Sequence, residues 1–307
     1  MAVEHDQRDL VRTSVRQALV RAPGDVVAAL AGFGWSELVA HDEALAFTAL
    51  FEEQGLLAVD TTALDVAALV TAGVDGGGSV VWPLAVNGWE VGPDGGVSVD
   101  GVALRPDLDG PLYVPAGDAL HEVTARRLEA VPVGGMAREL PWVRVHLEGR
   151  SVAAHGSWPE VQRRACLALA SELTGVAQRM LDLAVEHVTA RRQFGRPIGT
   201  YQAVRHRLAD AHSDVVGARA LVVAAWADGG AAPASWAKAV AGLAHDAVAK
   251  HSLQVCGAIG FDEEHELPGL VRRGFSLDAV LGASRSDAWR IGTALLEGHR
   301  TLPVGSF

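Results

Sequence analysis

The chain has 307 residues, enough for two or three structural units around a sizeable core. Its 49% hydrophobic content rests on Ala, Val and Leu with only 6% aromatics, a mix that suits closely packed helices better than a β-rich or disordered protein. With 26 Lys plus Arg against 37 Asp plus Glu, the formal net charge of −11 argues against nucleic acid and anionic membrane as partners, although a local basic pocket for an anionic ester stays open.

From the N-terminus, residues 1 to 74 read as a helical domain. Leu10, Val11, Val15, Leu19 and Val20 form the expected apolar face of a first helix, with further helices over 41–54 and 61–71. The first residues carry no signal-peptide pattern, and Cys166 and Cys256 show no paired-motif spacing, so a reducing cytoplasm is the expected compartment. Residues 75 to 150 change texture. Turn residues cluster at Gly76-Gly77-Gly78, and Asp94-Gly95-Gly96 and Asp100-Gly101 are expected to be hairpin turns. Strands are expected at 97–99, 102–104 and 112–114, and the segment from Trp142 to Leu147 alternates with Val143, Val145 and Leu147 on one face. This unit is read as a small antiparallel β-domain.

Residues 151 to 307 return to helix. Leu169, Leu173, Val176, Met180 and Leu183 keep a 4-3-4-3 spacing, as do Val204, Leu208, Ala211, Val215, Ala218, Val222 and Ala225. Such stripes, with Ala at many contact positions, predict long antiparallel helices in a four-helix bundle. Further helices are expected over 234–255, ended by Gly257 and Gly260, and over 286–297. Charges such as Asp228 and Lys238 interrupt the apolar runs before membrane-spanning length. No His-Glu-x-x-His, Cys-x-x-Cys or P-loop pattern is present, so zinc hydrolysis and nucleotide-phosphate chemistry find no support.

Two segments carry the chemistry. The first runs from Ala190 to Asp210 (ARRQFGRPIGTYQAVRHRLAD), and the second from Leu253 to Phe261 (LQVCGAIGF). Together, about 60 residues apart, they resemble the flavin-binding signature of the acyl-CoA dehydrogenase family. Alone, each has a plain reading: a basic helix C-terminus favoured by the dipole, and a glycine C-cap. The resemblance is strong after residue 160 and weaker before it, and it implies a mainly α fold: a helical region, a β-domain (here reduced) and a helical bundle. It also implies FAD at a subunit interface, held by Arg191 at the pyrophosphate, Phe194 beside the cofactor, Gln202 at the head of the next helix, and Gln254 with the Gly257-Ala258 backbone near the adenylate.

The catalytic half of the family's site departs from the pattern. The family places its carboxylate base shortly after the second segment, where this chain has Leu281, or on an earlier helix, near Ala165 beside Cys166. The family's flavin-contacting loop and strand have no counterpart between 75 and 115. Asp278 is read as a helix-end carboxylate that a loop shift would bring inward, Glu172 as an interhelical or surface charge, and Arg205, His206, Arg272 and Arg273 as surface groups or partner contacts. The resemblance therefore points to the non-catalytic subunit of a heterotetrameric (α2β2) FAD-dependent acyl-CoA dehydrogenase, with no catalytic residue of its own and no metal. Acyl-CoA would be engaged mainly through a homologous catalytic subunit, with an electron-transferring flavoprotein as acceptor. The shrunken β-unit leaves room for a bulky acyl group such as a steroid side chain. The alternatives are a homo-oligomeric flavoenzyme of altered chemistry and a flavin-free scaffold.

Overall fold

The computed structural model describes residues 2–22, 26–85 and 88–298. The N-terminal region holds five helices: α1 (Ala2–Arg21), α2 (Val26–Ala31), α3 (Trp35–His41), α4 (Glu43–Leu57) and α5 (Ala63–Thr71). In α1, Val15 and Leu19 are buried as expected, but Leu10 and Val20 are 67% and 65% exposed. Each is next in sequence to a position on the buried stripe, so helical geometry turns it about 100° away. Helix α4 starts where the Asp42 side chain accepts the Leu45 N–H, and it is apolar on several sides because it runs through the interior.

A five-stranded sheet follows, in the order β1-β3-β4-β5-β2, built from β1 (Ser79–Val80), β2 (Gly96–Ala103), β3 (Leu112–Ala116), β4 (Ala119–Pro132) and β5 (Val143–His155). All pairings are antiparallel except that of β1 with β3. Two sequence expectations need correction. Asp100-Gly101 is no hairpin turn: β2 runs straight through it, paired with β5. Gly101 is required there because a Cβ would stand 2.7 Å from the Trp82 carbonyl and 2.9 Å from the Trp89 ring. Strand β4 was missed because its second half, Thr124 to Pro132, is exposed throughout and carries no buried alternation.

The remaining helices are α6 (Trp158–Ala190), α7 (Gln202–Asp228), α8 (Ala231–Cys256), α9 (Glu266–Ala279) and α10 (Ser284–Leu296). Both stripes read from the sequence face the core, except that Val204 and Leu208, near the start of α7, are only half-buried. Helix α9 was not anticipated as a separate element. Helices α4 and α6 cross at paired glycines: a Cβ on Gly175 would lie 2.1 Å from the Glu52 carbonyl oxygen, and one on Gly55 would lie 2.2 Å from that of Glu172. No helix among the described residues is long and apolar enough to cross a membrane, and no group of His, Cys, Asp and Glu among them could hold a metal ion.

Two buried polar contacts tie these layers together. Arg273 on α9 donates to Glu172 on α6 (2.7 Å) and to Asp60 (2.7 Å), while Gln54 on α4 donates to the other Glu172 oxygen (2.9 Å). Arg273 is therefore an interior tie and not the surface group its sequence suggested. Between α5 and the sheet, the Trp82 indole donates to Asp65 (2.8 Å), whose carboxyl is pushed up from 3.8 to about 6 by burial against the opposing effect of that donor. The folded chain holds this proton more tightly than the unfolded chain. The contribution to stability is complete below 3.8 and is lost as pH rises through about 6. Asp65→Asn keeps an acceptor for Trp82 without the charge. It is expected to stabilise the chain by about 3 kcal/mol above neutral pH and by little below about pH 4, which urea unfolding at both pH values checks.

Candidate functional site

Helix α6 ends because Arg191 turns to extended backbone (ψ 121) while its N–H still reaches the His187 carbonyl. The chain then makes a miniature hairpin, β6 (Arg192–Gln193) with β7 (Arg196–Pro197), around a two-residue turn. Phe194 and Gly195 both have positive φ, 52 and 80, as a turn matched to strand twist requires. Positive φ is uncommon for an aromatic residue, and Phe194 is also 91% exposed. A 3-10 turn (Ile198–Thr200) folds the hairpin back against α6, where the Cβ position of Gly199 lies 3.1 Å from Val188, and Gln202 then opens α7.

Helices α7 and α8 have 27 and 26 residues and are joined at Gly229-Gly230, so the end of α8 returns level with the start of α7. Gln254 occupies the last turn of α8, Gly257 caps it at φ 65, and Ala258 lies in the 3-10 turn Gly257–Phe261. The structure thus brings all six sequence candidates, Arg191, Phe194, Gln202, Gln254, Gly257 and Ala258, to one end of the bundle, and all six are exposed. A Cβ on Gly257 would meet nothing within 4 Å, so its backbone is open to close approach. Gly260 serves packing instead: its Cβ position is 3.1 Å from Cys256 and 3.3 Å from Leu267.

At the far end of α9 the chain is closed. Leu281 is 1% exposed, has φ 61, and donates its N–H to the Pro83 carbonyl (2.9 Å). Lys238, fully buried on α8, donates to the carbonyl oxygens of Asp278 (2.8 Å) and Gly282 (2.5 Å). Burial pulls its pKa down, and Asp278 opposes that shift. The Asp278 carboxylate accepts the Ser284 N–H and hydroxyl (2.9 Å to the latter), which caps the start of α10 and fixes the acid. The inward shift considered for Asp278 is thus opposed by three hydrogen bonds. Sequence reasoning missed this pin, and its one signal was a lysine between Ala237 and Ala239 in the otherwise uncharged first half of α8.

A cavity of only about 150 Å³ lies beside Leu281, lined among others by Cys166, Ser235 and Asp287. Burial pushes the Cys166 thiol up to about 11, so it is no thiolate at neutral pH. A second cavity, about 600 Å³, lies between α4, α6 and α9, and its charged groups already have partners, as in Arg179 with Glu266 and Arg273 with Asp60.

Residues 161–295 match the family of the acyl-CoA dehydrogenase C-terminal domain, a span that contains every site residue named above. Over these residues the chain carries an acyl-CoA dehydrogenase C-terminal domain. Among relatives, it is 37% identical over 127 residues to acyl-CoA dehydrogenase IpdE2 of Mycolicibacterium smegmatis, covering 41% of each chain. It is 30% identical over 211 residues to the protein of that name from Mycobacterium tuberculosis, covering 66% of this chain and 64% of the relative. The alignments thus span less than two thirds of either relative. Among solved structures, the Tcur3481-Tcur3483 steroid ACAD superposes with a TM-score of 0.75 at 21% identity, over 97% of this chain and 99% of that one. The ChsE4-ChsE5 complex from Mycobacterium tuberculosis gives 0.70 at 22%, over 94% and 97%. At such identities the likeness shows the acyl-CoA dehydrogenase fold, which here extends over the N-terminal helices and the sheet as well as the bundle.

Proposed function

We propose that this chain is the non-catalytic subunit of a heteromeric FAD-dependent acyl-CoA dehydrogenase, completing the FAD site of a catalytic partner in an α2β2 assembly. One contrast carries the reading. Six candidate cofactor residues stand open at one end of the bundle, while the position where the family's base would fall is Leu281, buried, pinned and beside a cavity of about 150 Å³, too small for a CoA ester. Two structural neighbours, Tcur3481-Tcur3483 and ChsE4-ChsE5, are named for pairs of chains, which supports a partner subunit.

The donor set fits FAD. The Arg191 guanidinium has no carboxylate partner among the described residues and would neutralise the diphosphate through two parallel N–H donors. Gly257 and Ala258 would let main chain approach the adenylate, the Gln202 and Gln254 amides would satisfy its polar edges, and Phe194 would shield the cofactor from water. Bound FAD would supply the two-electron acceptor for α,β-desaturation of the thioester, with the base coming from the partner. A bulky acyl-CoA, such as a steroid side-chain ester, fits the names of the neighbours, and an electron-transferring flavoprotein in the cytoplasm would take the electrons.

Flavin content and mass test this directly. The chain expressed alone is expected to be colourless, and co-expressed with a catalytic acyl-CoA dehydrogenase chain of the same organism to form a yellow α2β2 complex with about one FAD per heterodimer. A yellow homo-oligomer with one FAD per chain would overturn the reading. Within the complex, Arg191→Ala is expected to lower FAD occupancy at least severalfold while assembly mass is kept, because it removes a charge-assisted contact and no core volume. Unchanged occupancy would remove Arg191 from the diphosphate site.

A further inference from the structure

The acidic balance of the whole chain does not hold locally. Between Glu186 and Asp210 there is no acidic residue, and Arg191, Arg192, Arg196, Arg205 and Arg207 all fall in that interval, in a chain of formal net charge −11. All five are exposed, and none has a carboxylate partner among the described residues. Arg192 reaches only the Gly195 carbonyl, and Arg196 stacks on the Tyr201 ring at 4.1 Å. Elsewhere unpaired arginines such as Arg105, Arg126, Arg144 and Arg150 are scattered over the β-region among acidic residues, and many others are paired. Arg12, Arg16, Arg163, Arg164, Arg179 and Arg219, for example, each meet a glutamate of this same chain.

Shape narrows what can neutralise this charge. Leu208 and Ala211 turn toward the core, so helical spacing sets Arg205 and Arg207 on opposite flanks of that stripe, with His206 outermost. The hairpin carries Arg192 and Arg196 beyond the helix end. The result is an exposed basic collar, and none of its arginines lines the cavities of about 600 and 150 Å³. Small anions are held in concave sites with convergent donors. The diphosphate of one cofactor would engage Arg191 and leave four guanidiniums unmatched. A collar of this kind is complemented by an extended acidic surface, where exposed arginines gain most from long-range attraction and are placed to guide encounter.

We propose that Arg192, Arg196, Arg205 and Arg207 form an electrostatic docking collar for an acidic surface on the catalytic partner subunit, adjoining the shared FAD site. This rests on the heteromeric reading above. The collar accelerates association and sets the orientation in which Arg191 and Phe194 meet the partner. The remaining acidic surface of this chain repels an acidic partner everywhere else, so approach is productive from this end.

The test is the association rate of the purified chain with the catalytic acyl-CoA dehydrogenase chain with which it forms the yellow complex, followed by stopped flow across a salt series. For the wild type, the rate is expected to fall steeply with salt. The double variant Arg205→Glu/Arg207→Glu is expected to associate at least about tenfold more slowly at low salt, with a flattened salt dependence. Arg205→Lys/Arg207→Lys should stay within about twofold of wild type, and circular dichroism melting should show α7 intact in both. FAD per assembled complex is expected to be unchanged, since neither residue is among the cofactor ligands. If the wild-type yellow complex forms and the glutamate variant associates at the wild-type rate, the collar is overturned while the subunit reading stands. If no wild-type complex forms, both fall. Binding of a duplex oligonucleotide to the lone chain, abolished by the glutamate variant, would assign the collar to nucleic acid instead and overturn the proposal.

Discussion

Arg273→Ala is expected to cost about 3–5 kcal/mol, the largest loss of any single side-chain truncation considered for this chain. Arg273 and Glu172 are 6% and 3% exposed and bridge α9 to α6 at 2.7 Å, with Asp60 and the Val59 carbonyl taking further donors. Truncating the arginine strands the Glu172 carboxylate in the interior with only the Gln54 amide to meet it. Burial already pushes Glu172 upward, and Arg273 is the main opposing influence. The double change Arg273→Met with Glu172→Leu removes both charges and fills the space, so it is expected to recover most of the loss. Urea unfolding of the two singles and the double measures the coupling. A loss below about 1 kcal/mol for Arg273→Ala would show that water or rearrangement satisfies Glu172.

Gly175→Ala is expected to destabilise by about 2–3 kcal/mol even though alanine is the better helix former by about 1 kcal/mol. The added Cβ would stand 2.1 Å from the Glu52 carbonyl oxygen and 3.0 Å from the Leu56 nitrogen, both backbone atoms, so α4 and α6 must move apart. Gly217 on α7 is the matched control. It is exposed and its Cβ position has nothing within 4 Å, so Gly217→Ala should show the propensity gain alone, about 0.5–1 kcal/mol of added stability. Opposite signs for the two changes, measured on the lone chain, are the expected result. The same sign for both would mean that the crossing is looser than 2.1 Å implies.

These two sites also mark where sequence reading stops. The stripe from Leu169 to Leu183 identified α6 and its buried face, because a 3.6-residue period is a local property of a helix packed on one side. The same pattern is silent about Gly175, which sits on a second face of α6 that is buried too. Periodicity likewise found Val143, Val145 and Leu147 but not the outer half of β4, where neither face is covered. For the candidate site, residue types and spacing at Arg191, Phe194, Gln202, Gln254, Gly257 and Ala258 were legible, since turns and caps leave local signatures. Their convergence depends on α7 and α8 having nearly equal lengths on either side of Gly229-Gly230.

What the sequence determined by itself is therefore local: helix and turn positions, the family signature over residues 190–210 and 253–261, and a leucine at 281. Which charges lie inside was decided only by the tertiary structure. Lys238, Glu172, Arg273 and Asp278 look like ordinary surface residues in one dimension, yet each is buried against a partner at least 40 positions away or across a tight loop. A buried charge is tolerated only where distant elements bring it donors or acceptors, and chain-local spacing does not encode that meeting. The basic collar shows the converse. Its arginines are visible in the sequence, but that they remain unpaired follows only from where the fold places the carboxylates.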